Sequence, residues 1–558
     1  MKRFFITIIV AVSFSISLKA EKNDDIYYFI KVWGELKYFH PEIQKGRVDW
    51  NKVFINGINS IFKTTNNQKS AIEELIKTCG RDKIPTTRSN LFDQYKNSPY
   101  SNLDFDWISE KDLLISQEDK NWLKQVVENY QPSSNVYIRK EINKFYLNTA
   151  LEKFWYPSSY IPDSANGLLI LAKFWNVINY FDPHKKLFDQ NWDQTLKQYI
   201  PLVLETASKK EIYLTIGSLA TSINDGHAFY NNYEFDSLLG LHKPGIITSL
   251  YENKYNLVTY ISDTLNKVTG ISKGDIITKI NGKEIFACRN ELKNYWEGST
   301  ERATQRNIDA ELLKGNYGEK YELEYLDSKN EKKVTSFTFT NELAFQQSLF
   351  KTGNPFKEFP SEDAVYIKLS AIEKKQLEEA IKKSDHEGGC LILDLRSGGL
   401  NINWNWLTGK FINTRVHVAN YYHCSFTYPG YFEKESMYKN PVGSLFNKKY
   451  SGKLIILANE KVQSSLEYNL MIFKAAVPDL VIIGRNTAGA DGAATSILLQ
   501  DNILTYYTRD VVLFPDGKQT QRIGIVPDIY VEDSLQLFRE DKDAIIEKAL
   551  EYINQHKK

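Results

Sequence analysis

Residues 453–470 read KLIILANEKVQSSLEYNL and pass from an unbroken apolar run into an amphipathic stretch that begins at Ser464. The apolar run, Lys453 to Ala458, is too short for a helix and predicts a buried strand. The apolar residues that follow Ser464 recur at helical spacing: Leu466, Leu470, Phe473 and Val477. Strand, turn and helix in this order build α/β layers. The stretch therefore predicts an α/β domain.

The flanking sequence repeats this alternation from Glu362 onwards. Further strands are predicted at three places: residues 364–369, 390–395 and 480–483. Further helices are predicted at two places: residues 376–383 and 541–558. We therefore expect an α/β domain over residues 341–540 that is closed by a C-terminal helix over residues 541–558.

Residues 239–340 have a different character. Gly245–Ile247 and Leu257–Ile261 read as strands, and Asn281-Gly282 stands between two apolar runs. An Asn-Gly pair in that position is a strong signal for a tight hairpin turn. The segment therefore predicts a separate β-rich module.

A weak internal repeat marks the N-terminal part of the chain. Residues 31–41 (KVWGELKYFHP) resemble residues 173–183 (KFWNVINYFDP), and Trp50 and Trp192 follow them at the same shift of 142. Each copy predicts an amphipathic helix ended by proline, in which the aromatic residues pack against neighbouring helices. We divide this part into a helical region over residues 21–165 and a second helical domain over residues 166–238.

The second copy continues into another predicted helix. One face of that helix carries Ile212, Ile216, Leu219, Ala220 and Ile223. Asn224-Asp225-Gly226 then supplies a stop, and we expect Gly226 to adopt the left-handed turn that follows many helices. His227 is therefore predicted to lie on a loop just beyond the helix end.

The N-terminus predicts export. Lys2 and Arg3 precede an apolar stretch, Phe4–Leu18, and a polar run begins at Glu21. This order is typical of a secretory signal peptide, here residues 1–20. The apolar stretch is shorter than the roughly 20 residues that span a bilayer, although an uncleaved anchor is the alternative. We expect a periplasmic or secreted protein with no stable membrane insertion after signal cleavage.

Composition excludes several classes of protein. The chain has 558 residues, which predicts three or four domains. With 42% hydrophobic and 25% charged residues it is not disordered. Its net charge of +1 provides no basic field for nucleic acid or an anionic membrane. Its four cysteines stand far apart without a CxxC or Cys/His cluster, so no zinc site is predicted.

Several motifs, in the expected order, resemble the tail-specific (C-terminal processing) serine protease superfamily. They are the DLRxNxGG-like loop Leu393–Gly399, the nucleophile-like motif Asn459–Glu467, the following turn Ile483–Gly492 and the GIxPDI-like strand Gly524–Ile529. Residues 270–285 are similar to the GDxIxxINGxxI pattern of bacterial PDZ domains, which take up peptide C-termini by strand addition. The resemblance covers most of the chain beyond about Asn166. It implies a multidomain α/β fold with a PDZ-like module and a ClpP/crotonase-like catalytic domain.

By this resemblance Ser464 is the nucleophile, three residues before Glu467 in the SxxE spacing of the family. The backbone N–H groups of Ser465 and of Gly398 or Gly399 would form the oxyanion hole. Without the resemblance, Ser464 and Ser465 are ordinary helix caps and the glycine pair is a tight turn.

The residue expected to act as the general base differs from that of most members of this superfamily. They use a Ser–Lys dyad whose lysine lies just beyond the TxG turn, where this chain has Ala490. Lys474 follows Ser464 on the same predicted helix and is expected to face solvent. The branch that resembles tricorn proteases instead uses a histidine from a loop before the PDZ segment, and His227 occupies that place. The resemblance therefore implies that His227 is the base.

The sequence does not determine which residue orients His227. Four candidates are Asp225, Asp510, Asp516 and Gln521. The first is near His227 in sequence, and the next two would approach from the closing strands. The tricorn-like branch relies on a glutamate close to the final motif, and Gln519 and Gln521 stand in that vicinity here.

Together these features predict an exported serine endopeptidase that acts on unfolded or tagged polypeptides. The resemblance implies no metal or organic cofactor. The alternative is a catalytically inactive, PDZ-type peptide-binding protein on the same fold, which the missing lysine and the open third position favour.

Overall fold

The computed structural model describes residues 22–63, 67–141, 144–147, 163–231, 233–345, 354–397, 403–411, 416–435, 450–499 and 503–556. The predicted signal peptide lies outside these ranges. Within them, no helix combines the length and the apolar character that crossing a bilayer would need.

Helices dominate the described residues before 240. They are α1 (22–39), α2 (Pro41–Gln44), α3 (Trp50–Lys63), α4 (Gln68–Cys79), α5 (Asn90–Lys96), α6 (Gln117–Glu128), α7 (Ser164–Phe181), α8 (Trp192–Leu204), α9 (Lys209–Thr221) and α10 (Tyr233–Leu239). Three short strands accompany them: β1 (Ile138–Glu141), β2 (Lys144–Leu147) and β3 (Tyr230–Asn231). The helices share one hydrophobic core.

The internal repeat appears as two sets of three helices, in which α1, α3 and α4 correspond to α7, α8 and α9. Trp33 Nε1 donates to the Trp50 carbonyl at 3.0 Å, and Trp50 Nε1 donates back at 3.1 Å. Trp175 and Trp192 exchange the same hydrogen bonds at 2.8 and 3.0 Å. Both ring pairs are stacked, at 7° and 1° between planes. These tryptophans therefore hold helices together, as their spacing predicts.

The two sets of helices meet at equivalent positions. A Cβ on Gly34 would lie 1.8 Å from Asn176 Oδ1, and Asn176 Nδ2 donates to the Ile30 carbonyl at 3.2 Å. The rings of Tyr38 and Phe181 contact each other at 4.9 Å. This close packing buries α7 around nearly its whole circumference. The first set thus supports the helical domain that carries His227.

A β-rich module follows. Its strands are β4 (Ile246–Tyr251), β5 (Tyr255–Ile261), β6 (Ile276–Ile280), β7 (Lys283–Glu284), β8 (Lys320–Leu326) and β9 (Lys332–Thr338), and its helices are α11 (Asp263–Thr269), α12 (Ile285–Lys293) and α13 (Glu301–Glu311). The sheet is antiparallel in the order β4-β5-β6-β8-β9, with β7 paired to β6. Asn281 and Gly282 have φ of 50° and 76°, which a primed hairpin turn requires, so the predicted turn is confirmed.

The predicted α/β fold class, with strands and helices in alternation, is also confirmed. The strands of the α/β domain are β10 (Phe356–Phe359), β11 (Ala364–Lys368), β12 (Cys390–Asp394), β13 (Asn420–Cys424), β14 (Phe432–Glu435), β15 (Lys453–Ala458), β16 (Val481–Gly484), β17 (Ala494–Leu498), β18 (Leu504–Thr508), β19 (Val511–Leu513) and β20 (Ile529–Tyr530). Its helices are α14 (Lys374–Ser384), α15 (Trp404–Phe411), α16 (Ser465–Ala476), α17 (Leu535–Arg539) and α18 (Ala544–Gln555).

The main sheet of this domain has the order β10-β11-β12-β15-β16-β20 and is parallel except for β10. Its central strands are buried on both faces, since α16 covers one face and α18 the other. Burial on two sides explains the unbroken apolar runs of β12 and β15, which alternation would not produce.

A smaller sheet connects the helical domain to the α/β domain. β18 pairs with β17 on one side and with β3 on the other, with Thr505 opposite Tyr230. Because β3 begins three residues after His227, this pairing ties the His227 loop to the α/β domain.

Candidate active site

Ser464 lies where β15 gives way to α16. It precedes the first residue of the helix and has φ of 58° and ψ of −127°. For a residue other than glycine such a conformation costs about 1–3 kcal/mol and persists only where its surroundings enforce it. Its side chain stands at the N-terminal end of a helix, where unpaired N–H groups favour negative charge.

The buried carboxylate of Glu467 enforces this conformation. One of its oxygens accepts from the backbone N–H groups of Ser464 and Ala490 at 3.1 and 3.0 Å. The other accepts from the Thr487 hydroxyl and the Gly489 N–H at 2.5 and 2.8 Å. Burial raises the pKa of Glu467, and the four donated hydrogen bonds oppose that rise. Glu467 therefore fixes the start of α16 to the turn after β16, a role that its SxxE spacing alone does not reveal.

The His227 loop lies against the same two segments. Gln463 Nε2 donates to the Gly226 carbonyl at 3.0 Å. A Cβ on Gly226 would lie 2.8 Å from the Cβ of Ala490, whose own carbonyl accepts from Ser464 N–H at 3.1 Å. The His227 loop thus contacts Gln463, which precedes Ser464, and Ala490, whose carbonyl binds the backbone N–H of Ser464.

The end of α9 differs from the predicted one. The helix ends at Thr221, and Asn224 takes the left-handed conformation with φ of 51°. The prediction that Gly226 would do so is wrong, because asparagine also tolerates this region. Glycine serves position 226 by its small size, which allows the close approach to Ala490.

The imidazole of His227 is buried beside Asp225 and Thr508. Its Nδ1 lies 2.8 Å from Thr508 Oγ1 and 3.9 Å from Asp225 Oδ1. Its backbone N–H donates to the same Asp225 oxygen at 3.0 Å. Burial lowers the pKa of His227 below its usual value, Asp225 opposes that shift, and Arg306 adds to it.

Two of the four orienting candidates lie together near His227. Asp225 Oδ1 accepts from the Thr508 hydroxyl at 2.8 Å, and its Oδ2 accepts from the Thr508 N–H at 2.5 Å. Gln521 Nε2 lies 3.4 Å from Asp225 Oδ1 and 3.4 Å from Ser299 Oγ. Gln521 thus contacts the aspartate rather than acting in its place.

The remaining charged candidates have other partners. Asp510 Oδ1 lies 3.2 Å from Arg509 Nε. Asp516 pairs with Lys518 at 2.8 Å, and its side chain is 52% exposed. Lys474, as its position on the helix predicts, is at the surface with 43% of its side chain exposed.

The proposed oxyanion-hole residues are described only in part. Ser465 is the first residue of α16, so its N–H has no partner within the helix. Gly398 and Gly399 lie outside the described residues.

A cavity of about 670 Å³ lies between the β-rich module and the main sheet. Its walls are β4, α13 and the carboxyl ends of β11, β12, β15 and β16. Arg306 on α13 donates to the Glu460 carbonyl and to Gln463 Oε1, both at 2.7 Å. The module thus contacts the turn that leads to Ser464. No local signal predicts this contact, since its partners are 154 and 157 residues apart in sequence.

Comparison with known proteins agrees with the motifs. Residues 363–531 match the model of peptidase family S41. A carboxy-terminal-processing protease of Bartonella bacilliformis is 24% identical over 382 residues, which are 66% of this chain and 80% of that protein. The solved structure of mature CPAF has a TM-score of 0.55 and 11% identity, and the match covers 71% of this chain and 99% of that chain. The structure of mature CPAF complexed with lactacystin has a TM-score of 0.53 and 11% identity, and the match covers 71% of this chain and 98% of that chain. At this identity the structural likeness shows the fold alone.

Proposed function

Because this chain is a serine-type peptidase that carries a family S41 domain, we propose that it is an exported endopeptidase acting through an acyl-enzyme on Ser464. The observation that carries this proposal is the juxtaposition of two loops. Ser464 has a strained backbone at a helix N-terminus, and the residue before it is hydrogen-bonded to the His227 loop. A nucleophile activated by an adjacent base is the arrangement that acyl transfer needs.

In the proposed reaction His227 takes the proton of the Ser464 hydroxyl as the oxygen attacks a peptide carbonyl carbon. The tetrahedral oxyanion is stabilised by the N–H groups of Ser465 and of Gly398 or Gly399. Collapse breaks the C–N bond, and the amine leaves with the proton from His227. Water, deprotonated by the same imidazole, then hydrolyses the ester and restores Ser464.

The β-rich module is proposed to recruit substrates as a PDZ-like domain. β4 is an edge strand of its sheet and lines the cavity beside α13, which packs against it. An edge strand beside a groove can accept a peptide by strand addition. Ten basic and seven acidic side chains line this cavity, and Arg396, Arg485 and Lys273 are ion-paired with acidic residues of the lining. A peptide with a free carboxylate is proposed to bind among the other basic side chains.

Export is proposed from the signal-like order of residues 1–20 alone. Sequencing the mature N-terminus from the native host would test it. A start at Glu21 supports the proposal, and a start at Met1 contradicts it.

Recruitment of a carboxyl terminus can be measured on the inactive Ser464→Ala variant. We expect an unstructured peptide with a free C-terminus to bind about 10- to 100-fold more tightly than the same peptide amidated, because charged hydrogen bonds are lost. Calorimetry gives both Kd values, and an acetylated N-terminus serves as the control. Equal Kd values for the free acid and the amide would show that the module does not recognise the C-terminal carboxylate.

Ser464→Ala should abolish hydrolysis of an unfolded protein while leaving the thermal unfolding midpoint nearly unchanged. Loss of the nucleophile costs up to about 10⁶-fold in serine peptidases. Ser465→Ala is the matched control and should keep activity, because only its backbone is used. An active Ser464→Ala enzyme would overturn the choice of nucleophile, and an inactive wild type on every polypeptide would favour the peptide-binding alternative.

The pH dependence of kcat/KM tests whether His227 is the general base. An imidazole whose pKa is lowered by burial stays neutral to lower pH, so kcat/KM should fall on acidification below the usual value of about 6.5. His227→Ala should remove nearly all activity, whereas His242→Ala and Lys474→Ala should keep most of it. Full activity in His227→Ala with loss in Lys474→Ala would restore a Ser–Lys mechanism.

A further inference from the structure

We propose that Thr508 is a positioning residue for His227, whose hydroxyl stands between the imidazole and Asp225 and selects the tautomer that can act as a base. The proposal rests on the function proposed above for Ser464 and His227. It assigns a role to a residue on β18 that no motif marks.

Distances exclude a direct hydrogen bond between the carboxylate and the imidazole. Asp225 Oδ1 lies 3.9 Å from His227 Nδ1, beyond hydrogen-bonding range. Thr508 Oγ1 lies 2.8 Å from each of these two atoms. The hydroxyl therefore completes the only short path from Asp225 to the ring that the described residues provide.

The single hydrogen of the hydroxyl fixes the direction of this path. An ionised carboxylate only accepts, so the 2.8 Å contact with Asp225 requires that Thr508 donates its proton there. The hydroxyl oxygen must then accept from His227, which places a proton on Nδ1. Nε2 of the neutral ring is left without a proton, and it is the nitrogen that can receive one from Ser464.

The carboxylate is itself held so that it cannot turn away. Its Oδ2 accepts from the backbone N–H of Thr508 at 2.5 Å, and its Oδ1 accepts from the backbone N–H of His227 at 3.0 Å. Gln521 approaches the same Oδ1 at 3.4 Å. Two contacts from one residue, through its hydroxyl and its N–H, couple Asp225 rigidly to β18.

The position of Thr508 is equally well fixed. The residue is fully buried and pairs with Ala494 of β17. Its strand also pairs with β3, which follows His227 in the chain. The three-stranded sheet thus brings together the helical domain's histidine and the α/β domain's hydroxyl.

Thr508→Val removes the hydroxyl and keeps the shape of the side chain. We expect kcat to fall about 10- to 100-fold with little change in KM. A fall of this size corresponds to the loss of one hydrogen bond to a charged group. The acidic limb of the kcat/KM profile should move to lower pH, because the link that lets Asp225 stabilise the imidazolium is lost. Arg306 also lowers the pKa of His227, and His227 and His184 disfavour each other's protonation. Both neighbours remain unchanged in this variant.

Thr505→Val is the matched control. Thr505 lies on the same strand and is equally buried, but its hydroxyl has no hydrogen-bond partner among the described residues. It should leave both kcat and the pH profile unchanged. Thr508→Ser, which keeps the hydroxyl, should restore most of the activity that Thr508→Val loses.

The tautomer can be read on the wild type, independently of how any variant folds. In ¹⁵N NMR of histidine-labelled protein above the pKa of His227, its Nδ1 should be protonated and its Nε2 unprotonated. The opposite tautomer, or a Thr508→Val enzyme with wild-type kcat and pH profile, would overturn the role of Thr508. Full activity in both Ser464→Ala and His227→Ala would instead overturn the proposed function, while the NMR result still decides the hydrogen-bond direction.

Discussion

The buried carboxylate of Glu467 is the interaction on which the candidate site depends. It accepts four hydrogen bonds, from Ser464, Thr487, Gly489 and Ala490, and so joins the start of α16 to the turn after β16. A buried carboxylate is expensive unless its lone pairs are satisfied, and satisfying them fixes all four donors. The unusual backbone of Ser464 follows from this constraint.

Packing at Ala490 bears on the proposal that the base is a histidine rather than a lysine. Ala490 is fully buried, and Gly226 approaches it so closely that even a Cβ on that glycine would clash. A long side chain at position 490 would therefore push the His227 loop away from Ser464. The small residues at positions 226 and 490 thus allow the His227 loop to lie against the turn after β16.

The sequence predicts well those features that depend on neighbours in the chain. The limits of β15, the helix after Ser464 and the hairpin at Asn281-Gly282 follow from local periodicity and turn chemistry. The orienting hydroxyl of Thr508 could not be found this way, because it meets His227 across 281 residues. The prediction that Gly226 forms the left-handed turn is wrong for the same reason, because the constraint on Gly226 is its contact with Ala490, which is also remote in sequence.

We propose that Ser464 is the reactive serine of an intact active site. The most direct test is to treat the wild-type protein with a fluorophosphonate probe at neutral pH and map the modified residue by mass spectrometry. We expect a single labelled site at Ser464, with labelling suppressed on acidification as His227 becomes protonated. Labelling at Ser465 or another serine, or none at all in folded protein, would contradict it.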